Sequence, residues 1–145
     1  MHSALLIARF ANPPNQNHGH GTHVAGTIAG ATYGIAKAAN IVAIKVMNDK
    51  GAGSASNVIA GIQWAVEHAR GRKAVINMSL GGNRSNALNN AAENAIAQGI
   101  TIVAASGNAG KPASEFSPGS ASNVITVGAT DQNDARAVSR ERAFF

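Results

Sequence analysis

The sequence has no cysteine, few aromatic residues, few acidic ones and no long apolar run. Without cysteine, disulfides and thiolate metal sites are excluded, although this does not identify a compartment. Aromatic residues make up 4% of a chain that is 45% apolar. A core must therefore be assembled from Ala, Val and Ile, which suits tightly packed α/β layers. No stretch approaches the ~18 apolar residues of a membrane span. The short run at 4–8 is stopped by Arg9, and a secretory signal needs an apolar core of roughly 7–15 residues. Seven acidic side chains face twelve Lys and Arg, for a formal charge of +5. Part of that excess is Arg136, Arg140 and Arg142, and no basic patch is interleaved with aromatics. It reads as solvated surface rather than a nucleic-acid face. Neither a nucleic-acid nor a membrane partner is expected.

The 145 residues suffice for one modest domain. Turn formers such as Pro13, Pro14, Asn15 and Asn17 predict a loop over 11–19. A helix is expected over about 21–31, with Val24, Ile28 and Ala31 on one face. A buried strand is expected over 40–46, then a turn-rich loop at 48–54. Ser56 is positioned to cap a second helix carrying Val58, Ile59, Ile62, Ala65 and Val66 at helical spacing. Gly71 ends it, after Arg70, whose charge suits a helix C-terminus. A strand at 74–77, a third helix at 86–98, a strand at 100–105, a polar loop at 111–122 and a last strand at 124–127 complete the pattern. Strands alternating with helices predict an α/β fold with a mostly parallel sheet and crossover helices. Ligands in such sheets bind beyond the carboxyl ends of the strands. Function is therefore expected in the loops at 48–54, 79–82 and 106–110.

Three histidines, His18, His20 and His23, fall where a glycine-broken loop meets the first helix. A His held at a helix start in a glycine turn is well placed to act as a general base. Two His at helical spacing can also share a metal ion, but no nearby Asp, Glu or Cys completes such a site. No metal is assigned on these residues.

His20-Gly21-Thr22-His23-Val24-Ala25-Gly26 resembles the histidine motif of the subtilisin-like serine proteases (peptidase S8), nearest the fungal proteinase K branch. Two later stretches resemble that family in the same order. Residues 77–82, Asn-Met-Ser-Leu-Gly-Gly, resemble its substrate-cleft segment. Residues 103–108, Val-Ala-Ala-Ser-Gly-Asn, resemble its oxyanion segment. The likeness runs over 17–137, leaving 1–16 and 138–145 as divergent ends. It implies a three-layer subtilisin-like fold, here incomplete at both ends. It also implies peptide-bond hydrolysis, with His20 as the catalytic base and Asn108 as the donor to the oxyanion. Gly51, Ala52 and Gly53 would form one wall of a cleft for extended polypeptide, and Ser79, Leu80 and Gly81 the other. Ala105, Ser106 and Gly107 would border it. His23 is expected to be a buried packing residue and His18 an exposed one. The family is mostly extracellular, so the lack of a signal segment suggests an unnatural start. No cofactor is expected. Relatives often carry calcium, but no full carboxylate cluster marks a site. A soluble chain is expected to be a monomer.

A serine protease also needs a hydroxyl nucleophile and a carboxylate that orients the histidine. In subtilisin the order is Asp, His, Ser, with the Asp roughly 32 residues before the His and the Ser about 157 after it. Here 19 residues precede His20, none of them Asp or Glu, and 125 follow it. No Gly-Thr-Ser-Met-Ala-type segment occurs; Ser114, Ser117, Ser120, Ser122 and Ser139 lie in a loop or in the divergent tail. Asn108 follows His20 by about 88 residues, close to the roughly 91 of subtilisin. The expectation is a central part of a serine endopeptidase, inactive by itself. The rival is a non-catalytic peptide-binding pseudoenzyme or a truncated gene product.

Overall fold

Five short, mostly apolar stretches pair into one parallel sheet. A computed structural model describes residues 3–7, 19–48 and 51–137. In chain order the elements are β1 (Ser3–Ile7), α1 (His20–Ala29), β2 (Asn40–Ile44), α2 (Ala55–His68), β3 (Ala74–Met78), β4 (Gly82–Asn83), α3 (Asn86–Ala97), β5 (Thr101–Ala105), a 3-10 turn (Ala113–Glu115), β6 (Phe116–Ser117) and β7 (Ile125–Val127). The sheet order is β2-β1-β3-β5-β7, every pairing parallel.

Period-two alternation decides which side chains build the core. In β3, Ala74, Ile76 and Met78 are buried, whereas Val75 is exposed. The register sets Ile76 beside Ile102 and Met78 beside Ala104, so these side chains share one face. Onto that face α2 lays Val58, Ile62 and Ala65, and α3 lays Leu88, Ala92 and Ala95. Each buried Ile or Leu in this layer contributes on the order of 1.5–3 kcal/mol. On the opposite face α1 packs Val24 against Ile28 and Ile41. The layers are thus two helices, a sheet and one helix, the α/β architecture expected.

Several sequence expectations are corrected. No element is assigned to residues 3–7 in the sequence, yet β1 is an interior strand of the sheet, paired with both β2 and β3. The second helix is capped by Ser54, whose hydroxyl accepts the Asn57 N–H at 3.2 Å. Ser56 instead pairs its hydroxyl with that of Ser54 at 2.8 Å. The stretch 40–46 is not a buried strand throughout. β2 ends at Ile44, lies at the sheet edge, and only Ile44 and Val46 are buried. Helix α1 stops at Ala29, where Gly30 N–H closes on the Gly26 carbonyl, and Ala31 is exposed beyond it. The polar loop at 111–122 contains a turn of 3-10 helix and β6, which pairs antiparallel with β4. That pairing is held from beneath by Ser117, fully buried, whose hydroxyl accepts the Ser85 N–H at 2.8 Å and faces the Ser85 carbonyl at 3.3 Å.

Candidate active site

The parallel arrangement delivers the carboxyl ends of β3 and β5 side by side, since Met78 pairs with Ala104. The chain leaves β3 as Ser79-Leu80-Gly81 and leaves β5 as Ser106-Gly107-Asn108. Between them lies a cavity of about 410 Å³ lined by residues 79–83, Ala105, residues 107–109, Phe116 and His20. Three stretches that are far apart in sequence therefore meet at one opening.

His20 is the first residue of α1, after Gly19. It is half-buried, and its Nε2 lies 2.7 Å from the Ser79 carbonyl oxygen. A carbonyl only accepts, so Nε2 carries the hydrogen in this contact. For Nε2 to take a proton from a nucleophile, the ring must exchange this bond. The contact ties the helix start to the loop after β3, which gives the cavity its rim. Beneath the rim, Asn77 Nδ2 donates to Ser79 Oγ at 2.9 Å. Asn77 received no role in the sequence reading. Its signal is an amide near the end of an otherwise apolar strand, Ala-Val-Ile-Asn-Met.

The opposite wall turns on glycine. Gly107 has φ +94, and a Cβ there would lie 2.7 Å from Phe116 Cδ2. A left-handed backbone and a ring pressed on the Cα both require glycine. Ser106 N–H donates to the Val127 carbonyl at 2.9 Å, anchoring the loop to the end of β7. Asn108 follows on the exposed shoulder. Ser106 does not line this cavity. It borders a separate one of about 640 Å³ with Gly128, Thr130 and Arg136, which shares Gly107 and Asn108. Phe116 is a lining residue the sequence reading missed, because it reaches the site through the short β4–β6 pairing.

The structure brings His20, Ser79, Leu80, Gly81, Ala105, Gly107 and Asn108 to one cavity. Gly51, Ala52 and Gly53 are not among its lining residues. They form a turn in which Asn48 N–H donates to the Ala52 carbonyl and Ala52 N–H to Asn48 Oδ1. His23 is exposed rather than buried, because Val24 and Gly21 are the α1 residues turned inward. His18 lies outside the described residues. Ser79 carries the only hydroxyl among the cavity-lining residues described, and no carboxylate lines it. Ser117 and Ser120 are committed elsewhere, to Ser85 and Asn89. Ser139 is outside the described residues. Among the described residues no three His, Cys, Asp or Glu are grouped as a metal site requires, and no helix is long and apolar enough to cross a membrane.

The sequence profile of the subtilase family matches residues 9–143. The chain belongs to the subtilase family. It is 55% identical over 126 residues to Subtilisin-like protease 2 of Pseudogymnoascus destructans, covering 87% of this chain and 32% of that protein. It is 52% identical over 129 residues to Subtilisin-like protease 9 of Arthroderma benhamiae, covering 86% of this chain and 32% of the relative. A solved structure of a cold-adapted subtilisin-like serine proteinase superposes with a TM-score of 0.84 at 36% identity. That match covers 94% of this chain and 57% of the solved one. This subtilase chain thus spans about a third of the length of these relatives.

Proposed function

We propose that the chain is the central part of a serine endopeptidase domain, binding extended polypeptide between residues 79–81 and 107–108. His20 serves as the general base and Asn108 as an oxyanion donor. The observation that supports this most is the single cavity joining His20 to the carboxyl ends of β3 and β5. Backbone N–H and C=O groups at the end of a strand can pair with an extended peptide as an added strand does. An amide donor at the shoulder of the same cavity suits the negative charge that develops in acyl transfer. Subtilisin is itself the reference case for that effect, where loss of the Asn donor costs ~10²–10³ in kcat. The reading places the protein's work on polypeptides outside the cell.

These 145 residues supply neither an orienting carboxylate before His20 nor a nucleophile segment. Peptide binding without turnover is therefore expected of the chain alone. Titration with an extended tetrapeptide, followed by amide NMR, should shift residues 79–81 and 107–108. Shifts confined to other regions would remove the cleft assignment. A peptide-anilide assay should show no turnover above background, and inhibitor-sensitive hydrolysis by the pure chain would overturn the expected inactivity.

A further inference from the structure

A second opening lies at the amino ends of β3 and β5, the opposite end of these strands from the cleft. Helices α2 and α3 finish there, at His68 and Ala97. The chain then turns through Gly71 and Gly99, with φ +72 and +87, and nothing lies within 4 Å of where a Cβ would stand on either. The turns border a cavity of about 450 Å³ lined by Arg70, Arg72, Lys73 and Gln98, with no carboxylate among its lining residues. All three cations are exposed. Basic residues after a helix can serve the helix end itself. Each C-terminus presents about half a negative charge, so the two together offset only about one of the three cations. Arg72 fills that role, since its guanidinium donates to the His68 carbonyl in the last turn of α2. Arg70 and Lys73 are surplus to it. Among the described residues neither side chain makes a hydrogen bond or an ion pair. By contrast, Lys37 donates to the Gly34 carbonyl, Arg84 to the Ser114 carbonyl, and Lys111 pairs with Glu115. The cavity continues into the groove between α2 and α3, about 510 Å³, which Arg70 and Gln98 also line. There α3 presents Asn90, Asn94 and Gln98, one to each turn, and α2 presents Gln63. Glu67 is the one carboxylate of the groove, and no aromatic ring lines either opening.

We propose that Arg70, Arg72 and Lys73 bind the anionic groups of a sulfated polysaccharide, whose hydroxylated chain runs along the amides of the α2–α3 groove. Charge selects an anion, because surplus cations surround one cavity that holds no acid. Guanidinium and ammonium groups donate charge-assisted bonds to the three terminal oxygens of a sulfate ester. Arg72 keeps donors for this beyond the one it gives His68, since a guanidinium carries five. The amides select a sugar. A carboxamide both donates and accepts, as each hydroxyl of a polysaccharide does, and four of them follow the groove away from the cations. A nucleic-acid strand would match the charge, but its bases need aromatic platforms, which both openings lack. An acidic peptide would match the charge without presenting a row of hydroxyls. None of these residues lines the cleft between 79–81 and 107–108. Failure of this site and failure of the peptide-binding reading would therefore show in different residues.

The test is calorimetric titration of the intact chain with a sulfated dextran oligosaccharide, beside unsulfated dextran of the same length. The sulfated chain is expected to bind, more weakly as salt is raised, and the unsulfated one to give no heat. Arg70→Gln and Lys73→Gln should each weaken binding about threefold, and together about tenfold, as exposed charge pairs do. Lys111→Gln removes the same charge away from the cavity and should leave the affinity within about twofold, since exposed charges at a distance are screened. Asn94→Ala should weaken the sulfated dextran about threefold, the loss of one modest hydrogen bond. It should not alter the amide NMR response of residues 70–73 to inorganic sulfate. The substituted side chains are exposed, and far-ultraviolet circular dichroism of each variant checks that the fold survives. The proposal is overturned if the sulfated dextran does not bind. It also falls if the Arg70→Gln, Lys73→Gln double variant binds like the parent, since the attraction would then belong to the overall charge. Polyglutamate or a single-stranded oligonucleotide of equal charge binding as tightly would remove the sugar from the assignment. Inorganic sulfate binding as tightly, per sulfate group, would leave an adventitious ion only.

Discussion

Single residues carry the cleft through backbone shape as much as through functional groups. Gly107 combines a left-handed φ with a phenyl ring against its Cα. Gly107→Ala must both strain the backbone and displace Phe116, so a loss of about 1–3 kcal/mol is expected. Chemical unfolding should register it as a lower midpoint at unchanged slope. Gly81→Ala is the contrast, since its Cβ would meet only the Ser117 carbonyl oxygen, at 3.5 Å, and its effect should be small. At this scale the resemblance singled out His20, Ser79 and Asn108 from motifs far apart in sequence, and the three line one cavity. Phe116 was not readable, because nothing local in a Ser-Glu-Phe-Ser stretch announces which cavity its ring closes. His23 was misjudged because its motif says nothing about which helix face turns inward. Only the packing of Val24 decides that.

At the scale of elements, caps and clips set what each helix contributes. Ser54 accepts the Asn57 N–H, and Ser56 only supports it. Ser54→Ala should therefore cost about 1 kcal/mol, and Ser56→Ala distinctly less, in paired thermal melts. The sequence offers two serines with the same chemistry at this helix start. Backbone conformation, extended at Ser54 and helical at Ser56, separates them. Helix α3 is clipped to the approach of β7 by Glu93, which accepts from the Asn123 side-chain amide at 2.7 Å and from its backbone N–H at 2.9 Å. Those two bonds, the side-chain amide first, hold the Glu93 carboxyl below the ordinary glutamate range. A depressed folded-state pKa stabilises the fold above the unfolded value and loses that contribution as pH falls through the folded one. Unfolding measured between about pH 6 and pH 3 should show a modest acid loss in the parent that is reduced in Glu93→Gln. Helix α2 was legible from Val58, Ile62 and Ala65 at i, i+4 and i+7. Strand β1 was not, because four apolar residues in a row carry no period that separates a buried strand from a buried helix turn. Its place comes from partners, Asn40–Ile44 and residues 74–77, that lie far along the chain.

For the whole molecule, the alternation of strand and helix was enough to read an α/β sheet, but not to read how unequally its two faces are covered. Adjacent residues of one strand make the difference measurable. Ile76 is fully buried beneath α2 and α3, and its neighbour Val75 is 40% exposed on the other face. Ile76→Ala removes side-chain volume from a sealed layer, where such truncations cost about 2–5 kcal/mol. Native domains hold only about 5–15 kcal/mol in all, so this variant should lose a large part of its cooperative melt. Val75→Ala removes apolar surface that water already reaches and leaves no enclosed void, so a change of about 1 kcal/mol or less is expected. Circular dichroism melts of the two variants beside the parent decide the matter. A large loss for Ile76→Ala with a small one for Val75→Ala means that the α2–α3 side holds the fold while the other is surface. Comparable losses would mean that both faces are sealed in solution.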